Sequence, residues 1–216
     1  MNRATRLFDA LSLGSLGALV GVSALHYDHL PARMAVHFGL DGQPNGWMDR
    51  PYATWGFDAF AIAVWALLRF SPDVMPSAEW QERSRKSPMA LAALLTALLL
   101  AGVGGLLVHG GLHPDAAPGP ALAAVLGGWL VVLSVVLPRL RRNPLVGIRT
   151  PWTLTSDENW SRVHRLGSYV YAAAGLGCLV CGLVGATALG LAVLTMGALA
   201  PAVYSYVLAS RLPPEA

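Results

Sequence analysis

Histidine and aspartate are the residues of this chain best suited to metal chemistry, and most histidines fall in two short stretches. Five of the six histidines lie within 26–37 or 109–113. His26 and His29 have helical spacing, and His37 follows in the same stretch. Neutral imidazole is a good Zn²⁺ ligand, but this spacing matches no specific zinc motif. A zinc site made of His26, His29 and His37 is therefore one interpretation, and hydrogen-bonding histidines with no cofactor are the favoured one.

A zinc-dependent hydrolase would also need a general base beside the metal, and this is commonly a glutamate. The glutamates stand at 79, 82, 158 and 215, which the charge distribution places on the other side of a membrane from these histidines. An aspartate could substitute as the base. We expect no enzyme activity, with a metal-dependent membrane hydrolase as an alternative.

Asp58, Cys178 and Cys181 lie inside apolar blocks, where a polar group needs a partner. Asp58 is near the outer end of its block, and His109 is a reachable partner at the outer end of another. Asp58 is thus predicted to be either a structural polar contact or part of a ligand site. The two cysteines share one helix face, and we expect them to be small packing residues rather than a redox pair.

The elements that hold these residues are long and apolar. Apolar residues make up 55% of the 216 residues and charged residues 12%, about half the charged share of a typical soluble domain. The blocks are long enough to cross about 30 Å of hydrocarbon. The fold class is therefore an all-α membrane bundle of six transmembrane helices, predicted at 7–25, 53–70, 88–110, 119–137, 167–186 and 188–208.

The positive charges set the expected orientation, since cytoplasmic loops retain lysine and arginine. With the N-terminus inside, only Arg33 and Arg50 of the 15 basic residues lie outside. Both termini and 138–166 are then cytoplasmic, and 26–52 is external. Basic residues at membrane edges meet anionic headgroups, so a net charge of +3 does not indicate direct nucleic-acid binding.

The segments 26–52 and 138–166 are too long and too patterned to be simple connections, and we expect function in both. In the outer one, alternation over 34–38 before a Gly/Pro/Asn-Gly cluster predicts a short strand entering a tight turn. In the inner one, Thr155 and Glu158 have the spacing of a capping box, which predicts the start of an elbow helix. That helix would end near 166.

Small residues indicate how the spans pack, because they let helix backbones approach closely in lipid. Gly17 and Gly21 form a GxxxG step in the first span. The last two spans supply Gly175, Gly177, Gly182, Gly185 and Gly190. A compact bundle is expected. No internal repeat is visible, which argues against the inverted-repeat design of many transporters.

The inner segment begins with Leu137 and Pro138 and continues in order with Ile148, Thr153, Leu154 and Gly167. This series resembles the motif of SdpI-type bacterial immunity membrane proteins. The residues that would contact a cytoplasmic partner are Asn143, Gly147, Arg149, Thr150, Pro151, Trp152, Ser156, Trp160, His164 and Arg165.

The outer segment is similar to a domain of unknown function that accompanies this family. Gly39 and Asn45 depart from its pattern, where Asn and Asp are expected, and Gly46 matches. The residues predicted to bind a ligand at the outer face are Pro31, His37, Phe38, Gly42, Pro44, Trp47, Asp58 and His109.

The resemblance implies a non-enzymatic protein of the bacterial cytoplasmic membrane that protects its cell from a secreted, membrane-active peptide toxin. The implied partners are the lipid bilayer, the toxin and a cytoplasmic transcriptional repressor held at the membrane. The chain then divides into 1–70, with two spans and the outer loop, and 71–216, with four spans and the inner loop. The alternatives are a small-solute or lipid transporter or channel that uses Asp58, and the hydrolase.

Overall fold

The computed structural model describes residues 3–39, 44–74, 77–85, 89–116 and 119–211. In chain order its helices are α1 (Arg3–His26), α2 (Phe57–Val74), α3 (Ala78–Arg85), α4 (Met89–Leu112), α5 (Gly119–Val136), α6 (Pro151–Thr155), α7 (Asp157–Leu183) and α8 (Thr187–Ala209). All but the short α3 and α6 belong to six helical segments that are long and apolar enough to cross a membrane. The six predicted spans are confirmed, and the chain is a multi-pass membrane protein.

A two-stranded antiparallel sheet lies between α1 and α2. Strand β1 (Arg33–Phe38) pairs with β2 (Pro44–Asp49), and a short π-helical turn (Tyr52–Gly56) then leads into α2. The predicted strand at 34–38 is confirmed. We expected the segment from Pro44 in the turn, but it forms the second strand. The pairing of the two strands is irregular at His37, which lies opposite Gly46. Gly42 lies outside the described residues.

The two ends of the bundle carry different structures. The hairpin of β1 and β2 marks one end, called here the hairpin face. The opposite end carries residues 137–156, called here the elbow, and we call it the elbow face. Helices α1, α2 and α4 pack as one group, α5, α7 and α8 pack as another, and α4 joins them by contacting α5.

Close backbone contact between α5 and α7 depends on small residues. A Cβ added at Gly127 would lie 2.8 Å from the Gly175 carbonyl oxygen. Cys178 is fully buried in the same interface, so its predicted packing role is confirmed. The packing prediction for Gly17 and Gly21 is wrong: a Cβ at either would meet nothing within 4 Å. Helix α1 instead buries Ser12, Leu16, Leu19 and Ser23.

The helix that we predicted from Thr155 begins at Asp157 and continues without a break as α7. Its N-cap is Ser156, whose hydroxyl accepts a hydrogen bond from the Asn159 N–H at 3.1 Å. The predicted capping box of Thr155 with Glu158 is therefore wrong. The Thr155 hydroxyl instead donates to the Pro151 carbonyl at 3.0 Å, because Thr155 is the last residue of α6.

Candidate functional site

The hairpin presents Trp47 on a fixed scaffold. Met34 is 1% exposed and packs with Leu30 and Val108 at the base of the hairpin. Trp47 is paired with Ala35, one residue from Met34, so strand alternation directs it away from the bundle. Its side chain is 49% exposed. Trp47 is therefore available to another molecule, as predicted for a ligand contact.

His37 is hydrogen-bonded within the hairpin. Its Nδ1 bonds to the Asn45 Oδ1 across the two strands, and in this pair the imidazole N–H donates. The amide oxygen of Asn45 thus takes the acceptor position that a carboxylate would have if Asp stood there. Pro31 and Pro44 are exposed, and Phe38 is half-buried. His37 has a structural role in joining the strands.

Arg50 connects the hairpin to the segment that directly follows α1 and to the turn before α2. Its guanidinium donates to the carbonyls of Tyr27 at 3.0 Å and Leu30 at 3.2 Å. It also lies 4.5 Å from the centre of the Tyr27 ring, which stacks on Trp55 at 5.3 Å. Sequence reasoning had placed Arg50 outside only as a charge. The signal for its role was its position directly after the strand and among aromatic residues.

Asp58 is buried on α2 but does not meet His109. Only 3% of Asp58 is exposed, and its Oδ2 has no hydrogen-bond partner in the described part of the chain. Its polar neighbour is Ser23 on α1. His109 stacks on His113 at 4.5 Å, one helical turn further along the chain. The predicted pairing of Asp58 with His109 is therefore wrong.

The three histidines predicted as zinc ligands are not assembled into a metal site. Within the described ranges, no group of three or more His, Cys, Asp or Glu side chains is arranged to hold a metal ion. One ring nitrogen of His37 is already bonded to Asn45. The hydrolase alternative gains no support from this arrangement.

Asn143 shapes the elbow from within. Its side chain is fully buried, and its Nδ2 donates to the carbonyls of Arg141 at 2.8 Å and Val146 at 3.1 Å. Its Oδ1 accepts from the N–H groups of Leu145 and Val146, both at 2.9 Å. The amide thus satisfies backbone groups in a segment without regular structure. Asn143 was predicted to contact a partner, but it can affect one only through the loop that it shapes.

Trp160 and His164 of α7 support the elbow by stacking, with 4.0 Å between ring centres. The Trp160 indole N–H donates to the Leu140 carbonyl at 2.8 Å. His164 accepts from the Ile148 N–H at its Nε2, at 3.1 Å, and donates from Nδ1 to the Trp160 carbonyl at 2.8 Å. This bonding requires a neutral imidazole with its proton on Nδ1. Gly147 fits against this stack because it has no side chain.

Thr150 and Ser205 join the elbow to α8. The Thr150 hydroxyl accepts from the Thr153 N–H at 3.2 Å, and the Thr153 hydroxyl accepts from the Thr150 N–H at 2.8 Å, which caps α6. Thr150 also bonds to the Ser205 hydroxyl at 2.9 Å. Asn159 of α7 donates to the Ser205 carbonyl at 3.0 Å. Pro151 takes the first position of α6, where its missing N–H costs no helical hydrogen bond.

Arg149, Trp152 and Arg165 are predicted partner contacts whose side chains remain exposed. The Arg149 Nη1 donates to the Pro144 carbonyl at 2.6 Å. Trp152 packs edge-on against Tyr206 of α8, with 5.0 Å between ring centres. These three side chains can contact another molecule directly, whereas Asn143 and His164 cannot.

Arg142 is a further elbow residue that sequence reasoning did not single out. Its guanidinium bonds both carboxylate oxygens of Asp157, at 2.7 Å and 3.3 Å, and the Leu154 carbonyl at 2.8 Å. It also lies 6.0 Å from the centre of the Trp80 ring on α3. Arg142 therefore ties the elbow to the start of α7 and to α3.

An apolar cavity of about 380 Å³ opens between the two helix groups at the elbow. Its lining residues come from α2, α4, α5, α7, α8 and the elbow. Trp129 and Tyr171 line it far from the helix ends, and Arg149 is the charged residue among the described lining. The Trp129 indole N–H has no hydrogen-bond partner in the described chain.

Sequence reasoning missed this cavity because its walls come from segments that are distant along the chain. Trp129 nevertheless carried a signal. Aromatic residues with polar atoms usually lie at the membrane–water interfaces, and Trp129 lies well inside its span.

Comparison with known families gives two matches on these segments. Residues 139–205 match the SdpI/YfhL protein family, and residues 15–62 match DUF1648, a domain of unknown function. The chain therefore carries an SdpI/YfhL family region and, before it, a DUF1648 region. The SdpI/YfhL match covers most of the elbow, all of α7 and most of α8, whereas the DUF1648 match covers the hairpin and Asp58. Comparison with curated proteins and with solved structures finds no match.

Proposed function

We propose that this SdpI/YfhL family protein is a membrane immunity or sensor protein that protects its cell from a secreted, membrane-active peptide toxin. The observation that carries the proposal is the position of the two family matches. One covers the hairpin and the other covers the elbow, at opposite faces of the bundle. A protein that detects a peptide on one side of a membrane and signals on the other needs a contact surface on each side.

The hairpin face is suited to an amphipathic peptide. Trp47 is 49% exposed and Tyr52 is 68% exposed, and both lie where the chain enters the membrane interface. Aromatic side chains are amphipathic, and they are frequent hot spots in protein interfaces. The contacts of Arg50 hold this surface in place, so little order would be lost on binding.

The elbow face would communicate with a cytoplasmic transcriptional repressor through Arg149, Trp152 and Arg165. Helix α4 offers a physical connection between the two surfaces. It packs against β1 at its hairpin end, and residues near its other end line the cavity beside the elbow. A shift of α4 on toxin binding would therefore reach the elbow.

The test is tolerance to toxin in a sensitive bacterial host. Expression of the chain should raise tolerance to membrane-active peptides secreted by a strain that carries this gene. Trp47→Ala should weaken toxin binding about 30-fold, as expected for a tryptophan hot spot worth about 2 kcal/mol, and most of the protection should be lost. Met48→Ala is the matched control, because Met48 is the exposed neighbour on the other side of the strand.

Two outcomes would count against the proposal. No protection by the wild-type chain at normal membrane levels would contradict the immunity function. Full protection by Trp47→Ala at the same membrane level contradicts only the assignment of the hairpin as the toxin site.

A second candidate function, transport of a small solute, rests on Asp58. Burying a carboxyl group inside a span costs free energy, so such a residue is a candidate for a solute site or a conduction path. One carboxyl oxygen of Asp58 has no hydrogen-bond partner in the described part of the chain. Wild-type protein in proteoliposomes should then carry a solute flux that Asp58→Asn abolishes. Asp49→Asn is the control, since Asp49 is exposed in an ion pair with Arg33. If the wild-type protein carries no tested solute, this candidate loses its basis.

A further inference from the structure

We propose that the cavity at the elbow binds an acidic phospholipid. One acyl chain of the lipid lies among the apolar lining residues, and its headgroup contacts Arg149. This lipid site is separate from the hairpin surface. It shares Arg149 with the proposed repressor contact, but lipid binding does not depend on the immunity function.

The chemistry of the lining selects such a ligand. Leucines of α5 and α8, such as Leu130, Leu133 and Leu194, form much of the wall. Arg149 adds a positive charge, and within the described chain its guanidinium has no acidic partner. The bond to the Pro144 carbonyl uses one of five N–H donors, so others stay available. An apolar cavity with one uncompensated cation suits a molecule with an apolar chain and an anionic end.

The size of the cavity favours a lipid chain over a peptide. One turn of an α-helix, taken as a cylinder about 10 Å wide and 5.4 Å long, occupies roughly 420 Å³. The cavity volume of about 380 Å³ is smaller than that. It lies within the range of small-molecule sites, which starts near 300 Å³. The cavity therefore encloses at most about one turn of a helical toxin, whereas its size suits part of an acyl chain.

The protein also fixes the position of the headgroup contact. The two residues beside Arg149 are held by hydrogen bonds: Ile148 by a buried one to His164, and Thr150 by a partly buried one to Thr153. Arg139 and Arg141 lie close by in the chain and add positive charge to the elbow face. Basic pockets between transmembrane helices are known sites for acidic lipid headgroups.

Trp129 provides a direct measurement, since its indole lines the cavity. Full-length protein is placed in phosphatidylcholine vesicles that contain a minor fraction of lipid brominated on its acyl chains. The bromolipid is either phosphatidylglycerol or phosphatidylcholine, and bromine quenches tryptophan fluorescence on contact. The difference between the wild type and Trp129→Phe isolates the Trp129 signal. We expect brominated phosphatidylglycerol to quench this signal at about a five-fold lower fraction, the preference that one basic residue gives at an anionic membrane.

Three variants make the result specific. Arg149→Gln should remove the preference for phosphatidylglycerol, and Arg141→Gln, an exposed arginine of the same face that does not line the cavity, should keep it. Ala198→Leu, which fills part of the cavity, should weaken quenching by both lipids. Each variant is first shown to elute as a folded single species, and if Arg149→Gln fails this check, Arg149→Lys should keep the preference.

Three results would overturn the proposal. Equal quenching by both lipids in the wild type would mean that the cavity does not select an acidic headgroup. A preference that survives Arg149→Gln would assign the selectivity elsewhere. Displacement of the bromolipid from Trp129 by an amphipathic peptide, added in a stoichiometric amount, would show that the cavity binds a peptide.

Discussion

At Gly147 the backbone has a φ of +122°, a conformation that side chains with a Cβ rarely adopt. A Cβ at this position would also lie 2.5 Å from the His164 Nε2. That nitrogen accepts the Ile148 N–H, so crowding at Gly147 would break a buried hydrogen bond. One hydrogen atom in place of a methyl group therefore decides how closely the elbow approaches α7.

Gly147→Ala should destabilise the protein by about 3 kcal/mol, through backbone strain of about 1–3 kcal/mol and displacement of the His164 ring. Gly185→Ala is the matched control, because Gly185 also has a positive φ, of +76°, but nothing lies within 4 Å of its added Cβ. We expect about 1 kcal/mol for that variant. Thermal unfolding in detergent, followed by a thiol-reactive dye at the buried Cys178, measures both. Equal losses would show that the contact with His164 does not matter.

The roles of individual residues were also the property that the sequence predicted least well. Asn143, His164 and Arg149 all belong to one motif, and all were predicted to contact a partner. The structure buries the first two in hydrogen bonds of the elbow and leaves only Arg149 exposed. A motif shows that residue types matter together, but it does not show which of them turn inward. That depends on how the loop folds onto α7.

Among the elements, the packing of α5 against α7 depends on the identity of single residues. Gly127 and Gly128 are neighbours on α5 with opposite surroundings. A Cβ at Gly127 would lie 2.8 Å from the Gly175 carbonyl oxygen, whereas a Cβ at Gly128 would meet nothing within 4 Å. Glycine spacing alone could not tell the two apart, and for Gly17 and Gly21 it predicted contacts that the structure does not contain.

Gly127→Ala should force α5 and α7 apart, since backbone atoms cannot give way as a flexible side chain can, and it should cost about 1–3 kcal/mol. Gly128→Ala should be neutral or stabilise by up to about 1 kcal/mol, because alanine favours helix. The same unfolding assay compares the two. If Gly127→Ala is as stable as Gly128→Ala, close approach at this point is not needed for the fold.

For the whole molecule, the six spans could be predicted because each is an uninterrupted apolar block, and hydrocarbon thickness sets its length. The continuity of the elbow helix with the fifth span could not, because Trp160 and His164 look like interfacial residues and are in fact buried under the elbow. The cavity was also beyond reach, since it depends on how two groups of helices meet. The periodicity of a sequence indicates which face of one helix is apolar, whereas the shape of a cavity depends on how several helices pack together.

Orientation is the whole-molecule property that charge alone predicts. The elbow carries Arg139, Arg141, Arg142 and Arg149, whereas Arg33 and Arg50 lie at the hairpin. Positive charge is retained in the cytoplasm, so the elbow face should be cytoplasmic and the hairpin face external. Proposed toxin binding at the hairpin and proposed repressor contact at the elbow both require this orientation.

Cysteine labelling tests the orientation directly. In a background where Cys178 and Cys181 are replaced by alanine, single cysteines are introduced as Met48→Cys on the hairpin and Thr155→Cys beside α7, both at exposed positions. A membrane-impermeant maleimide should label Met48→Cys in intact cells, and Thr155→Cys only after the membrane is opened. The cysteine-free parent controls for background labelling. The reverse pattern would invert the bundle and rule out both proposed contacts. Labelling of both positions in intact cells would contradict the odd number of spans, three, that lie between Met48 and Thr155.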